Sequence, residues 1–358
     1  MKAYGKNVTM KQALLILLLL LAQALAPAAR AEGTQHAAAP RAEDPKAVDV
    51  ENAADDADAE AEDAAGQAER RVATTPDVVV ELSLQSGDVV VQGWERKEVR
   101  AYSPEAGRID LRHSEAVAGQ PSAAGTPVGR VAVLVGVPGD ERVEPGEYGS
   151  GSVELNVPRG ATVILHIQSG DVDVSDVAEA RIDSASGDVN VRRVSRATDV
   201  NCFSGNVILD DAQGPVRLRS LSGEVSATRA RPLSPRDDVQ VSTTSGDITL
   251  EAVTHARVVA KTVSGGVSFE GPLAAAGTYD LRTTNGDVTL MLPADASFKI
   301  NARVVTGGEI ITDFPVKGAT LQPAPKPETQ TRLTGTVAGG DADINLSSFN
   351  GTVYLRKM

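Results

Sequence analysis

The chain has 358 residues and a formal net charge of −13, with aromatics at only 3% and a single cysteine. That charge argues against a nucleic-acid partner, because phosphates need a basic surface, and one cysteine excludes an intramolecular disulfide framework. With so few aromatics the interior must be built from Val, Leu, Ile, Ala and small hydroxylic residues, which suits a thin repetitive core better than a broad globular one.

Met1 to Ala31 has the layout of a secretory signal peptide. Lys2, Lys6 and Lys11 precede the apolar run LLILLLLLAQAL, and Ala29, Arg30 and Ala31 make a small-x-small cleavage site before Glu32. The run is about 12 residues long, short for a membrane-spanning helix. Cleavage after Ala31 is therefore expected, with export to the periplasm or cell surface and no stable membrane insertion afterwards. Loss of Lys2, Lys6, Lys11 and Arg30 would leave a mature charge of about −17. Residues 32–75 are rich in Ala, Asp and Glu and lack aromatics. Such a segment buries too little apolar surface to offset chain entropy, so a disordered acidic linker is expected there, followed by one β domain over 76–358.

The first repeat is VVVELSLQSGDVVVQGW, centred on Gly87. After Trp94, which is expected to anchor a cap, residues 95–160 read as an irregular insertion. It contains strand-like stretches at Arg108 to Arg112, Arg130 to Val137 and Ser152 to Val157, and the pattern is lost until Gly170. It then recurs at Gly170, Gly187, Gly205, Gly223, Gly246, Gly265 and Gly286. Five residues before these glycines stand Leu165, Ile182, Val200, Leu218, Val241, Ala260 and Leu281. Two after them stand Val172, Val189, Val207, Val225, Ile248, Val267 and Val288.

Apolar residues at alternate positions on both sides of a glycine make two half-buried strands joined by a turn. Spacings of roughly 17 to 23 residues are too short for a βαβ unit and fit one coil of a parallel β-solenoid. An antiparallel meander or sandwich is the alternative. Ser184, Ser220, Thr243, Thr262 and Thr283, three before the glycine, favour the solenoid, where such hydroxyls would stack about 4.8 Å apart and bond along the ladder. The doubled Gly307 and Gly308 predict a bulge. Gly351, with Ile344, Leu346, Val353 and Leu355 in register, places the last residues inside the fold.

The repeated Ser-Gly-Asp cores, VELNVPRGATVILHIQSGDV, TTNGDVTLMLPADASFKINARVVTGG and the terminal SSFNGTVYLRKM together resemble the bacterial putative-adhesin family of β-strand repeat proteins, a domain of unknown function. The likeness runs from Val78 to Met358. It implies a right-handed β-helical solenoid, export or envelope association, and a surface-adhesion role without catalytic residues or cofactors. The long insertion and the acidic linker depart from the family pattern.

The residues after the glycines include Asp171, Asp188, Glu224, Asp247 and Asp287. Stacked about 4.8 Å apart, such acids repel by only about 0.9 kcal/mol in water, so a solvated column bonding turn amides is expected. A row of weak Ca²⁺ sites is the sharper alternative, although the paired-glycine nonapeptide pattern of calcium-binding repeats is absent. Cys202 falls in the inward hydroxyl row and is expected to be a buried, inert thiol. His36, His113, His166 and His255 show no zinc-site spacing and read as surface residues. A polysaccharide-acting enzyme would need clustered groups such as Arg192, Arg193, Arg217 and Arg219 beside Asp188 and Glu224; cross-strand ion pairing explains these residues more simply.

The expectation is thus a non-catalytic binding or structural module of the envelope, presenting a repetitive face to a polymer or protein partner. The alternatives are a signalling accessory that binds a membrane protein or cationic peptide, and third an enzyme.

Overall fold

The computed structural model describes residues 69–104, 108–113, 128–136, 149–322 and 331–358. The expected signal peptide and nearly all of the acidic linker lie outside these residues. The linker's expected end is corrected: Glu69–Ser86 is already one continuous strand, so residues 69–75 belong to the fold. From Val78 to Leu84 its side chains alternate between buried and outward-facing, which lets its second half join the core.

The described residues form 27 strands and no helix, and none of them makes a helix long and apolar enough to cross a membrane. All strands are linked by pairing into one open, mostly parallel sheet. The pairings fall into two ladders that share the strand Glu69–Ser86, whose first residues pair with Glu98–Tyr102 in one ladder and whose later residues pair with Thr162–Ile167 in the other. Each repeat contributes the strand before its glycine to one ladder (the pre-glycine ladder) and the strand after it to the other (the post-glycine ladder). Pairing through the middle is parallel throughout, which decides for the solenoid over the meander.

Register places like on like. Leu165, Ile182, Val200, Leu218, Val241, Ala260 and Leu281 are directly opposed in sequence along the pre-glycine ladder. Val172, Val189, Val207, Val225, Ile248, Val267 and Val288 do the same along the other. All of these side chains are buried within one aliphatic cluster. A one-residue slip would turn a whole strand inside out, so the pattern holds every coil in register.

Coil order departs from chain order at both ends. The insertion expected at 95–160 contains a full coil: Val128–Gly136 and Gly149–Ser150 pair with Glu69–Ser86, and Val153–Pro158 pairs with Val89–Trp94. The Gly87 coil therefore lies between the Gly151 coil and the Gly170 coil. At the other end Ala342–Asn350 pairs with Thr278–Asn285 on one side and Phe298–Thr306 on the other. The last coil in the chain is thus inserted next to last in the stack.

Antiparallel strands close each end. Arg108–His113 lies against Val128–Gly136, and Glu98–Tyr102 against Val153–Pro158; Thr331–Val337 covers Phe298–Thr306 and is itself paired with Lys317–Gln322. A parallel coil left open would offer unpaired N–H and C=O groups to other chains, and these strands cover them. Trp94 ties the first cap, its Nε1 donating to the Glu98 carbonyl at 2.8 Å.

Candidate binding faces

The turn glycines make one corner of the stack. Gly87, Gly170, Gly187, Gly205, Gly223, Gly246, Gly265, Gly286 and Gly351 all fall in a single column, as expected, together with two that the repeat reading missed, Gly151 and Gly308. Gly151 was legible in the Ser150-Gly151-Ser152-Val153 core, but the long stretch since Gly87 hid its period. Gly308 takes the column position and Gly307, at φ 74°, is the extra residue of the expected bulge.

On this corner each Asp or Asn side chain reaches to the next coil. Asp88 Oδ1 accepts from the Asp171 amide at 2.9 Å, Asp171 Oδ1 from Asp188 at 2.8 Å, and Asp188 Oδ1 from Asn206 at 2.8 Å. Asn206, Asp247 and Asp287 do the same to Glu224, Gly266 and Thr352. These bonds satisfy turn amides that no ladder reaches, each contributing about 1 kcal/mol. The residues named for a calcium column, Asp171, Asp188, Glu224, Asp247 and Asp287, therefore lie in one row. Among the described residues no three His, Cys, Asp or Glu side chains gather as metal ligands.

Behind the corner inward hydroxyls bond along the stack, with turn carbonyls as their acceptors. Thr262 Oγ1 donates to the Gly246 carbonyl at 3.0 Å, Thr283 Oγ1 to Gly265 at 2.7 Å and Ser348 Oγ to Gly286 at 2.8 Å. These three hydroxyls thus reach the turn carbonyl of the neighbouring coil, whereas Ser184 Oγ donates to the Ser186 carbonyl of its own coil and Ser220 Oγ has no partner among the described residues. Cys202 occupies this row, 5% exposed, with its sulfur 3.7 Å from the carbonyls of Gly187 and Gly205. Burial pushes its thiol above the usual cysteine range, which disfavours the reactive thiolate. A thiol reagent is expected to label Cys202 slowly in the native protein and rapidly in denaturant. Cys202→Ser should change stability by no more than about 1 kcal/mol, because it restores the hydroxyl that the row uses elsewhere.

His255 corrects the surface expectation. It is fully buried, and its Nε2 donates to the Gly214 carbonyl at 2.8 Å while Nδ1 has no partner. Burial lowers its pKa from 6.5, partly offset by the Gly214 carbonyl and by Asp237 and Asp238. The unfolded chain takes up this proton first as pH falls, so the stability from a neutral His255 is full above pH 6.5 and is lost below it. Chemical denaturation is expected to lose up to about 1.4 kcal/mol per pH unit on that account, with a shallower slope in His255→Gln. His166 is half-buried, its Nδ1 3.2 Å from Asp183. His36 lies outside the described residues, as does the side chain of His113.

The arginines considered for catalysis do not converge on Asp188 and Glu224. Arg192 bonds Asp173 at 3.1 Å, Arg193 makes a two-pronged pair with Asp176, and Arg219 lies 3.5 Å from Asp199. Arg217 is 3.9 Å from Asp238. The cross-strand ion-pair reading accounts for all of them.

What remains free is the outer surface. Two residues before the column glycines, Phe203, Leu221, Val263 and Phe349 are 51%, 41%, 46% and 52% exposed. With Thr244 and Thr284 at the intervening positions, they stand in a row of mixed apolar and hydroxylic side chains beside the turn corner. The model of the Toastrack DUF4097 family matches residues 150–356. The chain belongs to that family. The Toastrack match begins at the Gly151 coil, so the Gly87 coil precedes it in sequence yet sits inside the stack that the matched residues build. Among solved structures, a crystal structure of a "putative cell adhesion protein" from Clostridium sporogenes aligns at 9% identity over 81% of this chain and 99% of that one. The TM-score of that superposition is 0.19. No curated protein matches the chain.

Proposed function

We propose that this Toastrack protein is an exported, non-catalytic binding module of the bacterial envelope that presents its stacked outer faces to a polymer or protein partner. The carrying observation is repetition of outward positions. On the pre-glycine ladder one unbroken cross-strand row runs from Ser83 through His166, Asp183, Asn201, Arg219, Ser242, Lys261 and Arg282. Neighbours in such a row stand about 4.8 Å apart, so a repetitive partner meets an outward polar side chain at each step. Individually weak contacts then add by effective concentration. The regularity and exposure of this face, and the signal-like segment Met1 to Ala31, support the reading.

The test presents the full chain to arrays of envelope glycans and to cell-wall fractions, with release of reducing ends followed in parallel. Retention without product release is expected. Turnover of any retained polymer would overturn the non-catalytic reading, and failure to retain any fraction would overturn the binding one.

A further inference from the structure

We propose that the outer face of the pre-glycine ladder over its last coils is a binding site for a carboxylate-bearing linear polysaccharide. This rests on the binding-module reading and assigns it a place and a ligand class. Strand register defines the site: Lys261 stands opposite Arg282, Arg282 opposite Ser347, Ser347 opposite Arg303, and Arg303 opposite Arg332. The four cations are exposed and follow one another across adjacent strands.

Like charges directly opposed on neighbouring strands destabilise a sheet, and here it happens twice, at Lys261 with Arg282 and at Arg303 with Arg332. Earlier coils of the same face avoid it by pairing opposite charges, as at Arg219 with Asp199 and Arg130 with Glu81. Of the four cations only Arg282 meets a carboxylate among the described residues, that of Asp280 at 2.5 Å. A like-charge opposition left without a carboxylate at Lys261, Arg303 and Arg332 breaks the local rule in the way functional surfaces do, and an anion removes it. That this cluster occurs in a chain of net charge −13 makes it a distinct positive patch and not part of a generally basic surface.

The ground between the cations is built for sugar hydroxyls. Arg282, Arg303, Asn301, Asn345, Ser347 and Asp280 line a shallow depression of about 190 Å³. Arg332 Nε donates to Asn301 Oδ1 at 3.1 Å, and Asn301 Nδ2 donates to Asn345 Oδ1 at 3.2 Å, which orients both amides. Phe349 lies two residues beyond Ser347 on the same side of its strand and is 52% exposed, an apolar platform for the C–H face of a pyranose. A chain lying across the strands advances about 4.8 Å per strand, close to the length of one pyranose unit. Its carboxylates would then meet guanidinium forks, the geometry in which Arg binds them with two parallel hydrogen bonds.

The experiment uses the full chain over immobilised polygalacturonate at low salt, with neutral dextran, a single-stranded DNA oligonucleotide and phosphatidylglycerol vesicles in parallel. Polygalacturonate is expected to retain the protein, dextran is not, and high salt should release it. The Arg303→Gln/Arg332→Gln double variant should bind at least about tenfold more weakly, while Arg181→Gln, on an earlier coil of the same face, should bind as the parent does. The double variant should melt no lower than the parent, because it relieves repulsion; a lower melting temperature would mean the arginines serve the fold. Equal polygalacturonate binding by the double variant would overturn this site and leave the binding-module reading standing. Retention by DNA or vesicles in place of polygalacturonate would overturn the ligand class. No polygalacturonate binding at low salt would overturn the proposal outright.

Discussion

Gly205→Ala is expected to cost about 2–6 kcal/mol of unfolding free energy, enough to bring a marginally stable domain to the edge of unfolding. A Cβ built on Gly205 falls 2.1 Å from the Gly187 carbonyl oxygen, which belongs to backbone and cannot swing away. The residue also sits at φ 136°, a region essentially reserved for glycine. The two penalties are independent, and the same pair recurs at Gly170, Gly223, Gly246 and Gly286. Gly129→Ala is the control, since a Cβ there meets nothing within 4 Å and its φ is not positive. Urea unfolding of the two variants should give a large loss for the first and a change within about 0.5 kcal/mol for the second. Equal midpoints would mean that the coils are not stacked glycine on glycine.

Ending the chain at Gly340 is expected to abolish soluble expression, a far larger effect than shortening a solenoid whose last coil lies at its end. The truncation removes Ala342–Asn350 and Val353–Lys357, with Ile344, Leu346, Val353 and Leu355 each buried. Four such side chains represent about 6–12 kcal/mol of apolar burial, similar to the whole stability of a typical domain. The loss also opens a gap inside the stack. Phe298–Thr306 would lose its parallel partner and its tie to Thr278–Asn285, leaving two unpaired edges within an aliphatic core. The soluble fraction after centrifugation, compared with that of the full chain, is the measurement. A truncated protein that stays soluble and melts at the parent temperature would show that the inserted coil is dispensable.

The central coils were legible because two physical periods coincide there. Alternation of Val, Leu and Ile marks which side of a strand is buried, and the recurring glycine marks a corner at which no Cβ fits. Cys202 could be assigned to an inward row on the same grounds, by its offset from Gly205. His255 was not legible, because it follows the irregular stretch after Val253, where no repeat position indicates which way a side chain points. The Gly151 coil was hidden in the same manner, by the interruption between Val135 and Gly149.

Taken alone, the order of residues determined the coil: its inward rows, its turn glycines and the acids that bond the corner amides, all set by contacts within one repeat and its copies. Only the tertiary structure decided where each coil lies in the stack, because coils with interchangeable aliphatic faces pair equally well with several neighbours and the choice falls to the caps and insertions at the ends. The same choice brings Ser347 between Arg282 and Arg303 and sets Arg332 beside them. A cationic row assembled from four separate stretches of chain has no sequence period, so it becomes visible only once the strands are paired.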